Sequence, residues 1–127
     1  MQDTESLINP LGIALTNQDD LIISEYKSNR VQVVRKEDDD LFHNVTTLKV
    51  DLTAPGPVLF DRASSLIYVS DPSNILIARL DGSLVSSKSS FESENTIITF
   101  ESLDGLCINE MTGELYVVDY NILRIFK

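Results

Sequence analysis

The chain has 127 residues, of which 43% are hydrophobic and 24% charged, a balance typical of a folded globular domain and not of a disordered chain. Twenty acidic against ten basic residues give a formal net charge of -10, which disfavours binding to nucleic acids and to anionic membrane surfaces. A single cysteine, Cys107, excludes an intrachain disulfide, and its apolar neighbours predict a buried thiol. The acidic start is unlike a secretory signal, and the sequence assigns no compartment.

Three segments follow one plan, each with three short runs that are rich in β-branched and aromatic residues and are bounded by turn-forming residues. In the first segment the runs are residues 10–15, 21–25 and 30–34. In the second they are 56–60, 66–71 and 75–80, and in the third 105–108, 115–119 and 122–126. No stretch has sustained helical periodicity, so the sequence predicts an all-β fold.

An acidic residue ends the second run of every segment, at Glu25, Asp71 and Asp119, which are 46 and 48 positions apart. A period near 45 is typical of the four-stranded blade of a β-propeller. We therefore expect three β-propeller blades, at about 10–52, 53–100 and 101–127. Their outer strands are predicted at 45–51 and 96–100, and the polar stretch 83–93 is interpreted as a flexible loop.

Residues 5–7 and 101–103 have the same sequence, Glu-Ser-Leu, two periods apart. This match predicts that residues 4–8 form an outer strand that closes the last repeat. Three blades cannot close a ring and would leave strand edges and an apolar face in water. Either two copies pair as a homodimer into one six-bladed ring, or the chain is part of a longer propeller; the matched ends favour the homodimer.

The first repeat resembles an NHL repeat, in which Pro-x-Gly-Ile-Ala precedes an apolar strand that ends in an acid and is followed by Asn-Arg-Val-Gln-Val. This sequence has Pro10, then Gly-Ile-Ala at 12–14 and Asn-Arg-Val-Gln-Val at 29–33. Residues 66–83 are also similar to the YWTD blades of lipoprotein-receptor ectodomains. The resemblance covers most of the chain and implies half of a six-bladed propeller, in a superfamily that includes binding scaffolds, lactonases and lyases.

Propellers of this superfamily usually bind ligands on the face made by the loops after the second strand and before the next repeat. The resemblance thus implies six candidate ligand-binding residues, Tyr26, Lys27, Ser73, Asp104, Tyr120 and Asn121. Exposed tyrosines combine an apolar ring with a polar hydroxyl and are enriched in protein interfaces. The favoured interpretation is a non-catalytic binding or scaffold propeller that recognises a protein or peptide and has no cofactor.

The alternative is a metal-dependent lactonase- or hydrolase-like enzyme. Lactonases of the gluconolactonase type hold a cation with carboxylate and amide oxygens from several blades, which makes Asp71 and Asp119 candidate ligands here, with Asp104 and Asn121 beside them. Such oxygens suit Ca²⁺, whereas one histidine, His43, and one cysteine do not make a zinc site. The same resemblance gives the repeated acids a structural role, in which they accept backbone and arginine hydrogen bonds in a turn, and we favour that role.

Overall fold

The computed structural model describes residues 7, 9–38, 41–93 and 96–126. These residues form thirteen β-strands: β1 (Pro10–Leu15), β2 (Leu21–Glu25), β3 (Arg30–Lys36), β4 (Phe42–Thr47), β5 (Val58–Asp61), β6 (Leu66–Ser70), β7 (Ile75–Arg79), β8 (Leu84–Lys88), β9 (Ser90–Ser93), β10 (Thr96–Thr99), β11 (Leu103–Ile108), β12 (Leu115–Asp119) and β13 (Ile122–Phe126). The described part of the chain contains no helix long and apolar enough to cross a membrane.

The strands pair with their neighbours in sequence and form antiparallel meanders. The first sheet has the order β1-β2-β3-β4 and the second β5-β6-β7-β8, while the third, β11-β12-β13, has three described strands. A separate hairpin joins β9 to β10. The predicted all-β fold is confirmed, and the repeated acids Glu25 and Asp119 end the middle strands β2 and β12, as the spacing predicts.

The outer strands differ from the prediction. Residues 96–100 were expected to form the outer strand of the second sheet, and this is wrong, because β10 pairs with β9 and β8 takes the outer position. Residues 83–93, expected as a loop, contain β8 and β9. The first outer strand, β4, begins and ends earlier than the predicted 45–51. The predicted closing strand at 4–8 lies outside the described residues apart from Leu7, which has no regular structure.

A tight turn explains why β8 pairs with β7. Gly82 has φ 92°, a conformation that glycine adopts without strain. The Asp81 carboxylate accepts hydrogen bonds from the Ser83 backbone N–H at 2.9 Å and from its hydroxyl at 2.6 Å. These contacts reverse the chain directly after β7, so the nearest segment pairs with it although that segment is rich in serine.

The core lies in two apolar layers between successive sheets. The layer between the first and second sheets includes Ile22, Val31, Val33, Phe60, Ile67 and Val69. The layer between the second and third sheets includes Leu59, Ile75, Phe100, Leu103, Leu115 and Val117. The inner strand β5 contacts both β1 and β11, so the sheets stack through their inner strands.

A serine joins the first two sheets where they approach most closely. The Ser24 hydroxyl donates to the Gly56 carbonyl at 2.6 Å and accepts the Gly12 N–H at 2.8 Å. A Cβ at Gly12 would lie 2.5 Å from the same carbonyl, a distance at which atoms clash. Glycine at position 12 is therefore required by this contact between backbones.

The prediction of a buried thiol at Cys107 is wrong, because this residue is exposed. Its neighbours Leu106 and Ile108 pack against the second core layer. Since successive side chains of a strand point to opposite faces, Cys107 lies on the outer face of the third sheet.

We expect Ser24→Ala to lower the free energy of unfolding by about 1–3 kcal/mol, because it leaves a buried carbonyl without its donor. The matched control is Ser70→Ala, which removes a buried hydroxyl that has no hydrogen-bond partner and should leave the free energy of unfolding unchanged or raise it by up to about 1–3 kcal/mol. Urea unfolding followed by circular dichroism measures both. Equal losses would contradict the proposed role of the Ser24 contact.

Candidate functional site

The loops that follow β2, β6 and β12 lie at one end of the sheets, beside the segments that enter β1, β5 and β11. Backbone hydrogen bonds fix this arrangement. The Tyr26 N–H donates to the Asn9 carbonyl at 3.1 Å, and the Tyr120 N–H donates to the Ser102 carbonyl at 2.7 Å. Between neighbouring sheets, the Leu103 N–H donates to the Pro72 carbonyl at 2.8 Å. We call this the loop end of the protein.

Asp71 anchors the segment that enters β5. Its side chain is buried, and its two carboxylate oxygens both accept the Thr53 N–H at 2.9 Å. The Ala54 N–H donates to one of the same oxygens at 2.7 Å. Both donors lie 17 or 18 residues before the acid, so Asp71 links the end of the middle strand to the segment that connects two sheets.

Asp119 has the same role in the third sheet. One carboxylate oxygen accepts the N–H groups of Glu101 and Ser102 at 2.9 and 3.0 Å, again 18 and 17 residues upstream. The other accepts the Arg124 guanidinium at 3.1 Å. Burial of Asp119 favours the neutral acid, but the two backbone N–H groups and Arg124 outweigh it and lower the pKa of this carboxyl below its ordinary value.

The described contacts of Glu25 come from the next strand. Its carboxylate is fully buried and accepts two hydrogen bonds from the Arg30 guanidinium, at 2.7 and 2.9 Å, and one from the Gln32 amide at 2.6 Å. Those donors are on β3, the next strand of the same sheet. The family resemblance implies acids that accept backbone and arginine hydrogen bonds. Among the described contacts, Asp119 accepts both kinds, Asp71 the backbone bonds and Glu25 the arginine bonds.

A recess of about 600 Å³ opens at the loop end between the inner strands β1, β5 and β11. Its walls are mainly apolar and include Leu11, Val58, Pro72, Leu103 and Leu106. Tyr26 lies at its rim, and Asp104 is the charged residue among the described residues that line it.

Ser70 is the unusual polar group of this recess. It lines the recess and is 1% exposed, and among the described side chains its hydroxyl is the buried polar atom without a hydrogen-bond partner. Buried hydroxyl groups are normally hydrogen-bonded, because leaving one unpaired costs about 1–3 kcal/mol. Ser24, which also precedes a repeated acid, satisfies its hydroxyl at the contact between sheets.

The six sequence-predicted ligand residues all lie at the loop end, but the structure separates them into two groups. Tyr26 and Asp104 line the recess. The others lie in or beside the same turns without lining it, namely Lys27, Ser73, Tyr120 and Asn121. Ser70 is not among the residues predicted from the sequence, although a Ser-acid pair occurs at both 24–25 and 70–71.

The candidate metal ligands Asp71 and Asp119 direct their carboxylates at backbone N–H groups. Among the described residues, no group of three or more histidine, cysteine, aspartate or glutamate side chains is placed to hold a metal ion.

No protein-family model matches the sequence, and a search of the curated proteins gives no match. Solved structures do match. One is a gluconolactonase of Xanthomonas campestris described as important in glucose secondary metabolic pathways, with 17% identity and a TM-score of 0.72 over 96% of this chain and 38% of that one. A protein of unknown function from Desulfotomaculum acetoxidans has 14% identity and a TM-score of 0.71 over 93% of this chain and 37% of that one.

A chain of the nidogen–laminin complex also matches, with 17% identity and a TM-score of 0.63 over 91% of this chain and 42% of that one. At such identities the likeness shows the fold: the three stacked sheets are part of a β-propeller. The chain spans about two fifths of the length of these structures.

We expect Asp119→Asn to lower the free energy of unfolding at pH 7 by about 2 kcal/mol, since hydrogen bonds to a charged group contribute about 1.5–3 kcal/mol. A folded-state pKa below the unfolded value means that the carboxylate stabilises the fold above its ordinary pKa of about 3.9 and loses this effect as the pH falls through the folded value. The difference in the free energy of unfolding between wild type and Asp119→Asn should therefore become smaller as the pH falls.

Urea unfolding at several pH values between about 2 and 7 measures this difference. The control is Asp104→Asn, an exposed acid at the same end of the molecule. A difference in the free energy of unfolding that stays the same over this pH range would contradict the role assigned to the Asp119 carboxylate.

Proposed function

We propose that the chain is a binding module of a β-propeller, which recognises a protein or peptide at its loop end without catalysis. The observation that carries the proposal is the recess, because it combines apolar walls with the unpaired hydroxyl of Ser70. Binding pockets in proteins commonly have apolar walls and a few polar groups that fix the orientation of the ligand.

An apolar side chain of the partner would fill the recess, and its adjacent backbone would supply a hydrogen bond to Ser70. Removing apolar surface from water supplies about 25 cal/mol per Å². Pairing a hydroxyl that is already buried adds to this, because the cost of desolvating the hydroxyl is already present in the free protein.

Charge selects among apolar peptides. Asp104 lies in the recess, and the chain carries a net charge of -10. An acidic segment would be repelled, while a lysine or arginine beside the apolar anchor would meet the Asp104 carboxylate. The preferred partner segment is therefore apolar and basic.

Tyr120 supports a contact role next to the recess. It has φ 57°, in the left-handed region that costs a non-glycine residue about 1–2 kcal/mol. Tyr120 is 65% exposed, so packing within the described chain does not explain a tyrosine at this position. A strained, exposed aromatic residue beside a recess is typical of a binding surface.

Selection from a displayed library of random 12-residue peptides tests this function. We expect enrichment of peptides that have an aromatic or aliphatic residue next to lysine or arginine. Asp104→Lys should lower the affinity for the selected peptides about tenfold or more. It removes the attraction between the Asp104 carboxylate and the basic peptide, and it adds repulsion between two positive charges. The matched control is Glu110→Lys, the same change of charge in the β11–β12 turn, at the opposite end of the third sheet.

Ser70→Ala should weaken the binding of the same peptides without lowering the free energy of unfolding. Calorimetric titration of the wild-type chain and of each variant with one selected peptide measures the affinities. The proposal fails if no peptide is enriched, or if Asp104→Lys and Glu110→Lys weaken binding equally.

We keep one second candidate, a calcium-dependent lactonase-like activity, because one of the matching structures is described as a gluconolactonase. Against it, the Asp71 and Asp119 carboxylates already accept backbone N–H groups, which leaves Asp104 and Asn121 as the more accessible oxygen ligands. Stoichiometric Ca²⁺ in the purified protein, together with hydrolysis of glucono-1,5-lactone that is lost on chelation, would replace the binding-module proposal.

A further inference from the structure

The two end sheets of the stack have apolar outer faces. In the third sheet, Leu115 and Val117 face the second core layer, so the alternate residues of β12 and β13 point away from it. Leu123 and Ile125 on this outer face are 64% and 55% exposed. Exposed Cys107 lies on the same face. We call this the β13 face.

The first sheet has the corresponding face on its other side. Ala14 and Ile22 pack toward the second sheet, which directs Ile13, Leu15 and Ile23 outward. Ile13 and Leu15 are 65% and 45% exposed, whereas Ile23 is 8% exposed. A shallow groove of about 310 Å³ runs over this side and is lined by Leu7, Pro10, Leu11, Gly12, Ile13 and Ile23. We call this the β1 face.

We propose that the β13 face of one copy packs on the β1 face of a second copy, and that two such contacts close a ring with two-fold symmetry. The proposal goes beyond the binding function, and either can fail without the other. It extends the contact that the chain already makes twice internally, where apolar sheet faces stack through β1, β5 and β11. Such a head-to-tail contact closes when rotation returns the second β13 face to the first β1 face.

Size and chemistry favour a second copy as the occupant. The aligned part of this chain is 38% of the gluconolactonase structure, so two copies amount to about three quarters of such a propeller. The side chains named on both faces are uncharged, so a contact made through them buries no unpaired charge. Lys36, which the alternation of β3 places on the same side of the first sheet, lies two strands away from β1. Ring closure would also surround the recess, which the described chain walls only with β1, β5 and β11.

Sedimentation velocity or light scattering of the 127-residue chain tests the closed pair. We expect a mass near 28.4 kDa, twice 14.2 kDa. Leu123→Glu and Leu15→Glu should each produce a monomer at the same concentration, because each places a carboxylate in both contacts. Neither residue lines the recess, so peptide selection by these variants reports on the binding function separately. The control is Met111→Glu, at a turn residue that is 97% exposed, and it should stay paired.

Mixing the two disrupting variants identifies the geometry. In a mixed pair, one of the two contacts joins an unaltered β13 face to an unaltered β1 face, so the mixture should recover part of the association that each variant lacks alone. A pair in which two β13 faces meet would be broken by Leu123→Glu and unaffected by Leu15→Glu, and this result would overturn the proposal.

Cys107 is a native reporter of the β13 face, since it is the single cysteine of the sequence. Its reaction with a bulky maleimide should be at least tenfold slower in the wild-type chain than in Leu123→Glu, and dilution should remove the difference. Circular dichroism of the variants confirms that they remain folded. A monomeric wild-type chain, or an assembly that grows beyond two copies, would overturn the closed pair.

Discussion

The recess depends on two buried carboxylates that hold the connections between sheets. Asp71 and Asp119 each bind two successive backbone N–H groups that lie 17 and 18 residues earlier in the chain. A carboxylate is well suited to this contact, because it accepts several hydrogen bonds and its charge strengthens each one. Since Ala54 and Ser102 are both anchored in this way and both line the recess, the same hydrogen bonds stabilise the fold and shape the site.

Stacking explains the very different burial of the three inner strands. All four residues of β5 are buried, whereas most of β1 is exposed, and β11 is mostly half-buried or exposed. β5 has a neighbouring inner strand on each side, while β1 and β11 each have one within the described chain. The nearly continuous apolar runs of the sequence are typical of strands that are covered on both faces. The first and third sheets contain such runs, but each is covered on one face only within the described chain.

The sequence predicts the middle strands best, because each is an apolar run that ends at or just before an acid of the repeat. The sequence pattern does not predict which segment pairs as the outer strand of the second sheet. Residues 96–100 have stronger β propensity than the serine-rich β8, but the turn at Gly82 brings β8 to β7 first. The burial of Cys107 was predicted wrongly from its apolar neighbours, because residues adjacent in a strand face opposite sides of the sheet. The loop end follows from the repeat, whereas the unpaired hydroxyl of Ser70 depends on which groups of the neighbouring strands lie within hydrogen-bond distance.

Comparing Ser24 with Ser70 shows why one position of the repeat can serve either structure or binding. At Ser24, the neighbouring sheet approaches closely enough for the hydroxyl to reach the Gly56 carbonyl at 2.6 Å. At Ser70, the corresponding contact to the third sheet is not made, and the space beside the hydroxyl belongs to the recess. The Ser24 hydroxyl thus joins the first and second sheets, whereas the Ser70 hydroxyl makes no such contact with the third sheet. The residue opposite the serine also differs: Gly12 donates its N–H to Ser24, whereas Pro57, which lies opposite Ser70, has no N–H to donate.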